Sequence, residues 1–349
     1  VELPNETKGG VAHFSHYFAN ALVERGHDVT MFTFSPAFAE SRYAVRTLPD
    51  ANRANRFRPF RFAAALARTD FSGFDVVHTF GDCYLMGGCR VPHVRTFSGS
   101  ARDELRTAKS PQRKAFQAAL IPLEEWASRV ADVSVGISEN TRLRLPRVSR
   151  VIPCGVDVSR FTPGAKDPEP SVLFVGTSGG RKRGQWLADV FAREVLPKVP
   201  GAKLWTVAER DIEGEGVVNF GRVSVEELAD LYRRAWVFCL PSTYEGFGVP
   251  YIEALASGTA VAATPNPGAV EVLRGGEFGV IAQDDTLGAE LADLLLDTGR
   301  REDLARRGLD RADDFSWGRV TAAYEAVYAE AISRSVTGRG DRALVRTVQ

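Results

Sequence analysis

Short apolar runs recur along the chain, separated by glycine-marked polar stretches and by longer segments of helical periodicity. In the first half DVTMFTF (28–34), DVVHTF (75–80), VPHVRTF (91–97), DVSVGIS (132–138) and SRVIPC (149–154) have the length and β-branched content of strands. In the second half SVLFVG (171–176), AKLWTVA (202–208), VVNFG (217–221), WVFCLP (236–241) and TAVAAT (259–264) repeat the theme. Between them, Val11, Phe14, Phe18, Ala21 and Leu22 fall on one face of a helix predicted over 11–25, with Gly26 where a helix-ending glycine is expected. Strand–helix alternation of this kind argues for an α/β fold with parallel sheets. The longest near-continuous apolar runs, such as AWVFCL (235–240), are strand-sized, which excludes a transmembrane helix.

The alternation breaks once, at FTPGAKDPEPS (161–171), where three prolines, a glycine and mixed charges read as an interdomain linker. The pattern therefore predicts two Rossmann-like doubly wound domains, over 1–163 and 164–316. They are followed by a helix over 317–332 and an Arg-rich polar tail over 333–349, expected to be poorly ordered. A doubly wound domain needs a central strand before its first helix. Only Val1–Leu3 precede the loop to Gly9 and Gly10, so either that strand is missing from the sequence or the domain is edited at its core.

Composition adds limits. A chain of 349 residues with 44% hydrophobic and 25% charged positions is neither disordered nor fibrous. The net charge of zero names no partner, no nucleic-acid partner is expected, and the total hides an asymmetry. Residues 1–165 hold 22 Lys and Arg against 16 Asp and Glu, a net of +6, and the remainder carries −6. Within the basic half, RANRFRPFRFAAALAR (53–68) interleaves five Arg with three Phe. It reads as an amphipathic surface helix with buried Phe, as the lining of an acceptor pocket, or as a peripheral contact with an anionic lipid surface. The four cysteines show no metal or disulfide spacing, no metal site is expected, and a reducing cytoplasm is the expected compartment.

The segment richest in chemistry is PSTYEGFGVPYIEALASG (241–258). A strand ends at Pro241, a glycine-broken loop follows, and Pro250 suits the first turn of a helix closing before Gly258. Gly246 and Gly248 let the backbone approach a ligand, and the helix start offers free N–H groups to phosphate or sugar hydroxyls. Glu245 in the loop and Glu253 eight residues on can accept bonds from sugar and ribose hydroxyls. On spacing alone, a plain strand–loop–helix crossover with two solvated glutamates stands equally open.

This segment resembles the E-x7-E signature of retaining glycosyltransferases of family 4, which have the GT-B fold of two Rossmann-like domains facing across a cleft. Four more segments resemble that family in the right order. They are KGGVAHFSHYFANALVERGHDVTMFT (8–33), ADVSVGISENTRLRL with RVIPCGVDVSRFTPG (131–145 and 151–164), VVNFGRVSVEELADLYRRAWVFCLPS (217–242), and DFSWGRVTAAYEAVYAE (314–330), whose helix in the family crosses back onto the first domain. The resemblance implies transfer of a sugar from a nucleotide-diphosphate sugar to an acceptor hydroxyl with retained anomeric configuration, without a metal or other cofactor. It implies that Glu253 binds the ribose, that Glu245 holds the donor sugar, and that Gly246, Phe247 and Gly248 present backbone N–H groups to it. Val223 would meet the base, Gly9 and Gly10 the diphosphate, and Lys182 would stabilise the leaving group.

Two departures from the family stand out. Thr177 occupies the usual position of a phosphate-binding Arg, with Arg181 and Arg183 flanking Lys182 as compensating candidates. Ser98 stands where the family often has a His beside the donor sugar, and serine carries no charge at neutral pH. His16 and Arg95 are the acceptor-side candidates, Asp103 and Glu104 are expected to be solvated, and a small soluble acceptor is favoured. These departures and the short first strand keep open a non-catalytic nucleotide-sugar-binding protein or partner subunit, and a nucleotide-sugar 2-epimerase is a further alternative.

Overall fold

The computed structural model describes residues 3, 10–38, 40–49, 58–81, 83–108 and 110–346, with side chains as far as residue 335. The chain divides into two compact units, 1–153 together with 320–349, and 154–319.

In the first unit, α1 (Gly10–Glu24) leads to β1 (Thr30–Thr33), β2 (Ala44–Thr47), α2 (Arg58–Ala67), β3 (Val77–Thr79) and β4 (His93–Phe97). Then come α3 (Ala101–Thr107), α4 (Pro111–Val130), β5 (Val133–Gly136), α5 (Glu139–Arg144) and β6 (Arg150–Val151). The strands form two parallel sheets, β1–β2 and β3–β4–β5–β6. No strand among the described residues joins the two. Ahead of α1 only Leu3 is described; it is buried against Ala19 and Tyr43, and its N–H donates to Ser35 Oγ at 3.2 Å. One core serves both sheets, since Phe34 packs edge-on to Phe62, and Phe32 to Phe71 and Phe74. The basic stretch is helical from Arg58, with Phe62, Ala63 and Leu66 turned into this core; 53–57 lie outside the described residues.

The second unit holds β7 (Ser171–Val175), α6 (Gly184–Val190), β8 (Lys203–Val207), β9 (Val217–Asn219), α7 (Val225–Arg234) and β10 (Val237–Leu240). It continues with α8 (Val249–Ala256), β11 (Ala260–Ala263), α9 (Pro267–Val272), β12 (Val280–Ile281), α10 (Leu287–Leu296) and α11 (Thr298–Asp313). Its six strands are parallel and run β12-β11-β10-β7-β8-β9. They read as near-continuous apolar runs because helices cover both faces: Val237–Leu240 and Ala260–Ala263 are buried at every position. The chain builds outward from β7 through β8 to β9, then returns to lay β10 on the other side of β7. The 161–171 segment read as a linker is fastened to this unit. Phe161 packs on Tyr232 with ring centroids 5.8 Å apart, Asp167 pairs with Arg234 at 2.6 Å, and the Asp167 carbonyl accepts from Trp236 Nε1.

The last helix, α12 (Trp317–Arg346), enters the first unit from Val320. It runs unbroken through the start of the stretch expected to be a poorly ordered tail, where no proline interrupts it. A buried polar chain fixes it. His78 Nδ1 meets Tyr328 Oη at 2.7 Å and Nε2 meets Thr96 Oγ1 at 2.8 Å, while Thr96 Oγ1 meets Tyr324 Oη at 3.0 Å. At the rim, Glu325 accepts from Arg25 and His27 and is held at a pKa of about 2, chiefly by the Arg25 bond.

Burial, helped by the nearby His93, pushes the His78 pKa down to about 3 from 6.5. The unfolded chain therefore takes up the proton first. The stability this neutral imidazole supports is complete above about pH 6.5 and drains away as pH falls toward 3. His78→Gln should lose less stability than the parent between about pH 7 and about pH 4.5, read as urea midpoints. Parallel declines in the two proteins would contradict this account.

Candidate functional site

In an open parallel sheet, ligands bind at the carboxyl ends of the strands, where neighbouring strands send their connections to opposite sides. In the second unit that point lies between β7 and β10. The loop after β7 carries Lys182 and the loop after β10 carries Glu245. Lys182 Nζ lies 2.8 Å from Glu245 Oε1, with both side chains largely buried. The contact is an ion pair rather than an aligned hydrogen bond, since that oxygen has no hydrogen-bond partner. Gly176 makes room for it: a Cβ there would stand 3.2 Å from Lys182 Cβ and 3.1 Å from Phe174 Cζ.

The flanking arginines differ. Arg183, at φ 58°, grips the scaffold: Nε donates to the Pro241 carbonyl at 2.7 Å, and two nitrogens clamp Asp284 at 2.6 and 2.7 Å. Its plane also lies over Trp186, 4.0 Å from the ring centroid. It ties the β7 and β10 loops together and is fully engaged. Arg181 is exposed, with no side-chain partner among the described residues, while its carbonyl accepts from Thr243 N–H at 2.9 Å. Thr177 Oγ1 donates to the Gly179 carbonyl at 2.9 Å and shapes the turn.

The 241–248 loop is braced from behind. Gly248 starts α8 at φ 93°, and a Cβ on it would sit 2.4 Å from Tyr251 Cδ2. Phe247 turns its ring inward against Phe315, so only its backbone faces the loop's open side. Asn266 caps α9 through Oδ1 and uses Nδ2 to reach Ser242 O, Thr264 O and Tyr251 Oη. Gly268 N–H donates to the Glu245 carbonyl at 3.0 Å, and a Cβ at Gly268 would lie 2.3 Å from Phe247 O. Sequence reasoning missed Asn266 and Gly268, although the Asn-Pro-Gly following TAVAAT signals a tight strand-to-helix turn.

Glu253, inside α8, accepts from Tyr232 Oη at 3.0 Å. Burial raises its pKa to about 7, against the opposing pull of the Tyr232 bond and the Lys182 charge. Lys182 thus acts on both glutamates, directly on one and through space on the other. Val223 is half-buried just before Ser224, the cap of α7.

In the first unit, Ser98 follows β4 at its carboxyl end, half-buried and without a side-chain partner among the described residues. Gly10 opens α1 in open space, and Gly9 lies outside the described residues. His16 does not reach a surface: it is 1% exposed, with Nδ1 on Tyr43 Oη at 2.8 Å and Nε2 near Asn20 Nδ2 at 3.3 Å. His16 lies on the face of α1 opposite Phe14 and Phe18, and that face is buried too, packed edge-on against Phe38 and Tyr43. Arg95 is also buried, its NH1 on Cys83 Sγ at 2.8 Å and its plane over Phe97, with Nε unpartnered.

Asp103, expected to be solvated, is 4% exposed. It accepts from Ser100 Oγ, Asn140 Nδ2 and Arg144 Nε at 3.0, 2.9 and 2.9 Å, tying the loops after β4 and β5. Glu104 instead pairs with Arg113 at 2.8 Å.

Two family models match this chain, Glycosyltransferase Family 4 over residues 8–160 and Glycosyl transferases group 1 over residues 169–298. The chain belongs to glycosyltransferase family 4. An MMP alpha-(1->4)-mannosyltransferase of Mycolicibacterium hassiacum is 34% identical over 209 residues, 54% of this chain and 50% of that protein. A phosphatidyl-myo-inositol mannosyltransferase of Mycolicibacterium smegmatis is 26% identical over 97% of this chain and 95% of that one. The first curated relatives are matched over 31%, 50% and 48% of their own length. Among solved structures, a sucrose-phosphate synthase from Thermosynechococcus elongatus superposes with a TM-score of 0.76 at 21% identity, covering 96% of both chains. The fold is GT-B.

Gly268→Ala should destabilise the second unit by about 1–3 kcal/mol, because a methyl group must displace the Phe247 carbonyl. The expected readout is a lower melting temperature. An unchanged one would show that the loop does not depend on this close approach.

Proposed function

We propose that the chain is a retaining glycosyltransferase that moves a sugar from a nucleoside-diphosphate sugar to the hydroxyl of a soluble acceptor without a metal ion. The observation that carries this reading is the Lys182–Glu245 pair at the switch point of the six-stranded sheet. In the resting site the two charges satisfy each other. With donor bound, Lys182 turns to the diphosphate, whose negative charge grows as the glycosidic bond breaks, and Arg181 adds a second cation from the same loop. Glu245 is freed to accept hydroxyls of the sugar, and the backbone N–H groups of 246–248 face the same ligand. These cations supply the charge that a divalent ion supplies elsewhere, and they stand in for an Arg at Thr177.

Retention follows if the acceptor attacks from the face that the diphosphate leaves. The hydroxyl oxygen bonds to the anomeric carbon, the bond to the diphosphate oxygen breaks, and that oxygen takes the hydroxyl proton. The intact pair favours this reading over a binding protein without catalysis. Donor turnover in the presence of EDTA should match that without it. Lys182→Ala should lower turnover by about 100-fold or more, as loss of a charge-stabilising donor does. Equal rates in the variant and the parent would remove Lys182 from the reaction.

The Glu253 carboxyl gives a second test. A carboxylate accepts from both hydroxyls of a ribose, whereas the protonated form does not. With a pKa of about 7, affinity for the nucleoside diphosphate should rise about tenfold between about pH 6 and about pH 8. Glu253→Gln should bind weakly with a flat profile. Calorimetry checks it, and a pH slope retained in the Gln variant would assign the titration elsewhere.

A further inference from the structure

Lys166 carries an amine that the proposed reaction does not use. Its segment is pinned on both sides. A Cβ at Gly164 would stand 2.3 Å from Arg233 Cδ, so the backbone lies against α7 there, and the Asp167 N–H donates to the Arg234 carbonyl at 2.9 Å. Between these anchors, Lys166 Nζ donates to the Arg233 carbonyl at 3.0 Å and to Thr259 Oγ1 at 2.7 Å. Thr259 gives its own proton to the Tyr232 carbonyl at 2.6 Å, so it accepts from the lysine. These two are the amine's only hydrogen-bond partners among the described residues.

The acids nearby are engaged elsewhere. Asp167 and Asp230 pair with Arg234 at 2.6 and 3.3 Å, and Arg233 lies 3.7 Å from Asp230. From α11, Arg301 lies over Trp236, 4.2 Å from the ring centroid, and donates to the carbonyls of Leu294 and Leu295. Among the described residues no carboxylate pairs with Lys166 or with Arg301. Burial, helped by the Arg301 charge, lowers the Lys166 pKa to about 7. The bonding pattern agrees. An ammonium has three N–H donors, and only two acceptors are offered. An NH2 group places both hydrogens on them and leaves its lone pair at the remaining tetrahedral position. Lys166 is exposed as a residue, so a small reagent reaches it.

We propose that Lys166 is a modification site, acylated at Nζ by small acyl phosphates. The nitrogen lone pair bonds to the acyl carbon, and the bond from that carbon to the phosphate oxygen breaks. Phosphate leaves with the electron pair and takes up the proton that nitrogen sheds, so nothing is oxidised or reduced. A desolvated lysine beside another cation is an activated nucleophile. The arginines around it also attract an anionic reagent. The amide that forms is neutral and keeps a single N–H, so one of the two bonds from Lys166 to Arg233 and Thr259 is lost. Acylation therefore loosens the 161–171 segment on the end of α7.

The test is treatment of the full chain with acetyl phosphate, followed by peptide mass spectrometry at each lysine. An ordinary solvated lysine is neutral in about one molecule in 2,500 at pH 7. Lys166 should acetylate faster than the exposed Lys114 and Lys198 at pH 7, by about tenfold or more, and its rate should level off by about pH 8. In guanidinium chloride, where the fold is lost, that lead should vanish. Three results would each overturn the proposal. They are a rate at Lys166 no higher than at Lys114 and Lys198, a rate that keeps climbing about tenfold per pH unit through pH 9, and a lead that survives in guanidinium chloride.

Discussion

The second unit is organised by one topological constraint. After building β8 and β9 outward from β7, the chain must return and place β10 on the opposite flank of β7. Two neighbouring parallel strands then send their following loops to different sides, and the gap between those loops is the place where a ligand meets backbone N–H groups. What holds the gap in shape is charge. Lys182 and Glu245 bridge it, and Arg183 joins the same two loops through the Pro241 carbonyl while Asp284, after β12, holds its guanidinium. The neighbouring Glu253 carries a penalty for this location. Its pKa of about 7 means the fold favours its protonated form, so the stability it supports is full below pH 4.5 and is lost as pH rises through 7. A carboxyl kept at such cost beside the gap marks it as a candidate ligand site.

The first unit uses buried polar groups differently. His78 and Thr96 fasten α12 through two tyrosines, and Asp103 gathers donors from α5 onto the turn behind Ser98. Each contact joins residues far apart in the chain, 250 positions in the case of His78 and Tyr328. The first set holds α12 on β3 and β4, and the second joins the segments that follow β4 and β5.

That sequence separation explains what was legible beforehand. Five of the six strands of the second unit stand within a residue or two of the apolar runs that announce them, because hydrophobic burial leaves a local mark. The Glu245–Glu253 spacing was legible because both residues sit on one strand–loop–helix segment. His16 and Asp103 were misread because their partners, Tyr43, Asn140 and Arg144, come from other elements. Nothing local distinguishes a solvated carboxylate from one that Asn140 and Arg144 of a distant helix enclose. The brace of Gly268 against Phe247 O escaped notice for the same reason, and β2 and β12 were too short or too exposed to leave a pattern.

The central claim is that the Lys182–Glu245 gap receives a nucleoside-diphosphate sugar. The most direct measurement is the electron density of a crystal grown with the nucleoside diphosphate that the chain binds best. The account predicts diphosphate density against Lys182 and Arg181, the ribose within hydrogen-bond reach of Glu253, and the Lys182–Glu245 pair opened. A nucleotide bound elsewhere on the second unit, with that pair still closed at 2.8 Å, would contradict it.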